Sequence, residues 1–124
     1  MKIPLSNMEW KLMNQLWDSA PATLMELTRS LAEETGWTKH TVITMLTRLE
    51  NKQAVCWKQV GRTRHYSPLV TREDARREET ANFLERVYGG KPGLLMSTLM
   101  ESHALTKEDI DELSEILRKA DEGK

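Results

Sequence analysis

Thr38, Lys39, His40, Thr41, Ile43, Thr44, Thr47 and Arg48 form one side of a segment whose other side is Val42, Met45, Leu46 and Leu49, apolar at i, i+3, i+4 and i+7. That spacing predicts a helix with a polar outward face. The residue types on the face suit nucleic acid. Threonine hydroxyls and methyls can meet base edges, a thymine methyl included, and Lys and Arg meet phosphates. Thr41 and Thr44 are read as base readers, Lys39 and Arg48 as phosphate contacts, and His40 as open to either role. Thr38 starts the helix without an acid in the first turn, which leaves its positive end open to an outside anion such as a phosphate. Arg62, with Lys58 and Arg64 nearby, suits contact with the backbone or the minor groove. The competing reading is a solvated helix face and a hairpin tip that is basic for solubility.

Other chemistry finds no support. The chain has no Gly-rich phosphate loop, no HExxH, no nucleophile elbow and no plausible triad, so it is not read as an enzyme. A single cysteine, Cys56, excludes an internal disulfide and any multi-cysteine metal site. Cys56 opens a strand and is expected to be a small buried hydrophobe. The histidines at 40, 65 and 103 are scattered, so no metal or other cofactor is expected. Trp10, Trp17 and Trp57 are read as packing residues and Trp37 as an anchor for a turn.

The formal net charge of -1 conceals an asymmetry. Residues 1–70 carry nine Lys/Arg and six Asp/Glu, a net +3, whereas residues 71–124 carry nine and thirteen, a net −4. Residues 36–66 hold six basic side chains against Glu50 alone. A basic centre followed by an acidic half fits an anionic partner for the first part only. The chain has 124 residues, enough for one compact domain or two small lobes. It has no apolar run of membrane-spanning length, and its start, Met1-Lys2-Ile3-Pro4-Leu5-Ser6, has no apolar stretch of signal-peptide length. The expectation is a cytoplasmic protein without membrane insertion.

The elements that must position these residues are marked by their caps. Ser6 and Glu9, Thr23 and Glu26, Thr71 and Asp74, and Thr106 and Asp109 have capping-box spacing ahead of apolar-periodic runs. Helices are predicted over about 7–18, 24–34, 38–49, 72–88, 93–102 and 107–119. Between the third and fourth, residues 55–60 and 63–67 read as strands joined at Gly61-Arg62. Three helices followed by a hairpin is the winged helix-turn-helix layout, in which the third helix enters the major groove. The fold class is therefore mainly α with a small β-hairpin wing, followed by a C-terminal helical region.

The segment from Trp37 to Leu49 resembles the recognition-helix stretch of the BlaI/MecI (penicillinase repressor) family, roughly W-S-x-K-T-I-x-T-x-L-x-R-L. Gly61-Arg62 with Tyr66-Ser67-Pro68 is similar to that family's G-R…Y-x-P. The stretches Phe83–Gly90 and Leu105–Leu113 match its C-terminal half in character, so the resemblance spans essentially the whole chain. It implies a dimeric transcriptional repressor with a palindromic operator in double-stranded DNA. C-terminal helices would dimerise, often by exchange between chains. In the antibiotic-responsive members a membrane-bound metalloprotease sensor leads to cleavage of the repressor. The chain departs from the pattern in places. It lacks the paired C-terminal cysteines of copper-responsive relatives. Thr98-Leu99 stands where the family has its usual Asn-Phe cleavage bond. His40 replaces a basic residue, and Gln53 stands where a Gly commonly ends the helix.

The domain reading is a winged-helix DNA-binding domain over residues 1–70 and a helical dimerisation domain over 71–124. Leu94, Leu95, Leu99, Met100, Leu113, Ile116 and Leu117 need a partner surface, because the last three helices are too narrowly apolar to bury themselves in one chain. A two-fold homodimer is the default. The alternative function is a winged-helix module that binds another protein through its acidic half and never touches DNA.

Overall fold

The computed structural model describes residues 4–123; Met1, Lys2 and Ile3, part of the start discussed above, lie outside the described residues. The chain folds as helices α1 (Asn7–Ser19), α2 (Leu24–Thr35) and α3 (Lys39–Asn51), strands β1 (Val55–Val60) and β2 (Thr63–Pro68), and helices α4 (Arg72–Tyr88), α5 (Pro92–Glu101) and α6 (Lys107–Glu122). This is the winged helix-turn-helix order followed by a helical C-terminal part.

The caps explain where the helices begin. Ser6 with Glu9, Thr23 with Glu26 and Thr106 with Asp109 form reciprocal capping boxes. The backbone N–H of Thr23 donates to Glu26, which holds that carboxyl below its ordinary pKa. The pair expected at Thr71 and Asp74 forms by half. Thr71 Oγ1 accepts from the Asp74 N–H at 3.0 Å, while the Asp74 carboxylate takes Arg77 at 3.1 Å instead. α5 starts one residue earlier than expected, with Pro92 in its first turn. α6 runs on to Glu122, where Arg118 pairs with both Glu115 and Glu122 across the last turns.

Two compact units divide inside α4, at Thr80 and Ala81. The first holds the core. Leu12, Met13 and Leu16 of α1, Leu27 and Leu31 of α2, and Val42, Met45, Leu46 and Leu49 of α3 close it together with Ala54, Val55 and Tyr66. The start of α4 stays with this unit because Arg72 donates to Asp18 at 2.8 Å and to the Asn14 carbonyl at 3.0 Å. Trp17 donates to the Val70 carbonyl at 2.9 Å. Trp10 and Trp17 pack on each other, rings 5.9 Å apart. The wing is stitched back by the α1–α2 connection, since Ala22 and Tyr66 exchange two backbone hydrogen bonds of 3.0 and 2.8 Å.

Cys56 corrects an expectation: it is exposed. It pairs with Ser67 in a hairpin whose residues at 55, 57 and 59 share a face with Tyr66, so Cys56 lies on the opposite face. Among β1 residues only Val55 is buried.

The end of α3 shows what the Gln at 53 does. Gln53 has φ +63°, its N–H donates to the Glu50 carbonyl, and the Ala54 N–H donates to the Leu49 carbonyl at 2.8 Å. That is a Schellman closure with a non-glycine residue in the left-handed position, a backbone strain of order 1–2 kcal/mol. Gln53→Gly is expected to stabilise the first unit by about 0.5–1 kcal/mol, after allowing for the extra freedom glycine has when unfolded. Equilibrium urea unfolding measures it, and a destabilised variant contradicts this account of the turn.

In the second unit no described residue is fully buried. Leu94, Met100, Ile116 and Leu117 are exposed, and Leu95, Leu99 and Leu113 are half-buried. No helix among the described residues is long and apolar enough to cross a membrane.

Candidate nucleic-acid interface

α3 is held by its apolar face, and that burial decides which residues remain outside. With Val42, Met45, Leu46 and Leu49 in the core, Thr38, Lys39, His40, Thr44, Thr47 and Arg48 are exposed and Thr41 and Ile43 half-exposed. Thr38 caps the helix by accepting from the Thr41 N–H at 3.3 Å, and the first turn contains no acid. The positive end of α3 is therefore not neutralised from within, unlike those of α1, α2 and α6.

The threonine hydroxyls are partly engaged. Thr44 Oγ1 donates to the His40 carbonyl and Thr47 Oγ1 to the Ile43 carbonyl, both at 2.9 Å. The Thr41 and Thr38 hydroxyls lie 3.3 Å apart. With its proton directed at the helix, Thr44 offers an outside partner its methyl and the remaining acceptor capacity of its oxygen.

The wing brings its cations alongside the start of α3. Lys39 and Ile43 line an open groove of about 560 Å³ with Leu24 and Met25 of α2 and with Arg62, Arg64 and Tyr66 of the hairpin. Lys39, Arg62 and Arg64 thus share one groove, whereas Arg48 lies further along α3 and does not line it. Among the described residues none of these four has a carboxylate within ion-pair distance. The arrangement is an apolar floor rimmed by unpaired cations, next to a helix end of the same sign. It can hold a phosphate chain against the protein.

Two residues outside the sequence-based set join this region. The Trp57 Nε1–H donates to both oxygens of Glu50, at 2.9 and 3.2 Å, and the Arg64 guanidinium stacks over the Trp57 ring at 4.0 Å. The hairpin register carried a signal for the second contact. A two-residue turn at Gly61-Arg62 sets Trp57 opposite Tyr66, which makes Arg64 its diagonal neighbour. Trp37 packs, half-buried, against the core beside the α2–α3 turn.

Thr98 and Leu99 lie inside α5, where Thr98 Oγ1 donates to the Leu94 carbonyl. No group of His, Cys, Asp and Glu that could hold a metal ion occurs among the described residues.

Comparison with known proteins gives a consistent result. A family model described as the penicillinase repressor matches residues 5–119. The methicillin resistance regulatory protein MecI of Staphylococcus aureus (strain N315) is 29% identical over 93% of this chain and 94% of its own length. The penicillinase repressor of Bacillus licheniformis is 31% identical over 94% of this chain and 91% of that one. The solution structure of the monomeric form of Bacillus licheniformis BlaI in complex with the blaP half-operator aligns at 31% identity with a TM-score of 0.52, covering 59% of this chain and 90% of that chain.

Proposed function

The chain belongs to the penicillinase repressor family, and from that premise we propose that it represses transcription as a homodimer that reads an inverted-repeat operator in double-stranded DNA. It is a repressor rather than an enzyme. α3 lies in the major groove, with Thr41 and Thr44 at base edges, His40 at a base or a phosphate, and Thr38 and Lys39 presenting the helix end to the backbone. Arg48, Arg62 and Arg64 contact phosphates on either side. The observation that carries this reading is the groove shared by Lys39, Arg62 and Arg64, three cations without carboxylate partners beside an acid-free helix start.

Salt titration tests it. Affinity for duplex DNA should fall linearly on a log–log plot, with a slope of about −0.9 per phosphate neutralised. Absence of duplex binding at low salt would instead support the rival, a winged-helix module that uses its acidic half to bind a protein. Two substitutions sort readers from anchors. Thr44→Ala should reduce discrimination between operator and mutated operator by about 1 kcal/mol, since it removes a methyl and an acceptor at the base edge. Arg62→Ala should weaken binding to all duplexes alike and make the salt slope shallower by about 0.9. Identical effects from both changes overturn the assignment.

Dimerisation rests on residues 71–124, through Leu94, Leu95, Leu99, Met100, Leu113, Ile116 and Leu117. The exposure of so many large apolar side chains on α5 and α6 supports it. Repression would be relieved through the same region, by proteolysis downstream of a membrane-bound metalloprotease sensor, with Thr98-Leu99 the candidate bond, or by another signal. A protease needs extended backbone, so α5 must open first. Its starting residue, Lys91, makes no side-chain cap hydrogen bond, which is consistent with easy opening. Intact-mass analysis of the chain from induced cells checks this; a chain that stays whole while repression is lifted contradicts cleavage.

A further inference from the structure

Arg64 and Glu50 touch the same indole from different sides. The Trp57 N–H donates to both Glu50 oxygens at the end of α3, and the guanidinium of Arg64 lies over the ring face at 4.0 Å. Yet Arg64 forms no ion pair with Glu50, the one acid among residues 36–66. Trp57 is 37% exposed and lies outside the core, so it is not the core or packing tryptophan its type suggests.

The chemistry of the two contacts differs in a useful way. A carboxylate paired with Arg64 would neutralise its charge and occupy its donors, and a phosphate would have to displace it. An aromatic face holds the guanidinium through its plane and leaves the in-plane N–H donors free for another acceptor. The indole N–H meanwhile satisfies the carboxylate. Trp57 is itself set by the hairpin register, opposite the buried Tyr66, whose backbone is bonded to Ala22.

We propose that Trp57 is a positioning residue for DNA binding: it insulates Arg64 from Glu50 and holds the guanidinium free of a carboxylate and open toward a backbone phosphate. The proposal rests on the DNA-binding reading above. It assigns Glu50 the role of an acid that must be kept occupied, and it makes the wing's contribution depend on a side chain that touches no DNA.

The test uses the full-length protein and a random-sequence 30-base-pair duplex, because phosphate contacts do not depend on sequence. Arg64→Ala should make the log–log salt slope shallower by about 0.9. Trp57→Ala should remove the same increment although Arg64 is present, and the double variant should lose no more than either single one. Adding Glu50→Gln to Trp57→Ala should restore the slope, a rescue that a merely structural role for Trp57 does not predict. Glu50→Gln in the presence of Trp57 should leave the slope unchanged, and this arm does not depend on the folding of a tryptophan variant. A wild-type slope in Trp57→Ala, failure of the rescue, or a steeper slope in Glu50→Gln alone overturns the proposal while leaving DNA binding intact. A wild-type protein without salt-dependent duplex binding overturns the DNA reading itself. In that case an upfield ring-current shift of the Arg64 side-chain protons, absent in Trp57→Ala, still reports whether the stacking exists in solution.

Discussion

Replacing Ile116 and Leu117 together by glutamate is expected to lower affinity for an inverted-repeat operator about 10²- to 10⁴-fold, the range lost when two linked binding events become separate. The two side chains are 55% and 68% exposed, so the substitution removes little buried surface from the chain that carries them. Glutamate also keeps good helix propensity. In a two-fold interface each new charge is buried against the partner's apolar surface, so the dimer dissociates without the helix unfolding. Binding to a single half-site should change little, because α3 and the wing are untouched. Sedimentation velocity at micromolar concentration, beside titration of full and half operators, checks both parts. A variant that remains dimeric, or that becomes monomeric and still binds the full operator tightly, removes the basis for the dimer.

That expectation draws on a division visible in the sequence, a basic first part and an acidic apolar-striped second part. The parts differed in how legible they were. Caps carry local signals, so Ser6 with Glu9, Thr23 with Glu26 and Thr106 with Asp109 could be read directly, as could the missing acid after Thr38. The Thr71–Asp74 pair shows the limit of such signals, because Arg77 competes for the same carboxylate. The single bridge between Ala22 and Tyr66 was not legible, since one paired residue has no alternation to detect. Cys56 misled because its small apolar type suggested burial, whereas it lies on the face of the hairpin opposite the buried Val55 and Tyr66. The outward face of α3 was legible through its apolar complement. The link from Glu50 to Trp57 to Arg64 joins a helix end to two strands, and only the hairpin half of it followed from register.

Glu9 was read as a cap and turns out to be more, which leads to the second large effect. Lys52→Met is expected to destabilise the first unit by about 3 kcal/mol, toward the lower end of the range for removing one partner of a buried ion pair. Glu9 is 2% exposed, and its Oε1 accepts from the Ser6 N–H at 2.8 Å and from Lys52 at 2.7 Å. Its Oε2 is buried without a hydrogen-bond partner among the described residues. Burial pushes the carboxyl upward, but the Lys52 hydrogen bond, the Ser6 N–H and the Lys52 charge outweigh it and hold Glu9 below its ordinary value of 4.5. A depressed folded-state pKa gives stability that is present above the unfolded value and lost as pH falls through the folded one. The wild-type protein should therefore lose this contribution only below about pH 4.5. Without Lys52 the sign inverts. Burial, the largest single influence on this carboxyl, is then opposed only by the Ser6 hydrogen bonds, so the folded pKa is expected to rise above the unfolded one and Lys52→Met to become less stable as pH rises toward 7. Acidifying the variant from pH 7 to 5 should recover part of the loss, and Glu9→Gln added to it should recover more, because the side chain then carries no charge to bury. Urea unfolding at several pH values separates these outcomes. The side chain of Lys52 is 35% exposed, so water reaches the site and moderates the magnitude. The inverted pH slope depends on burial outweighing the Ser6 hydrogen bonds; a variant with the wild-type slope would mean that Ser6 suffices to keep Glu9 ionised.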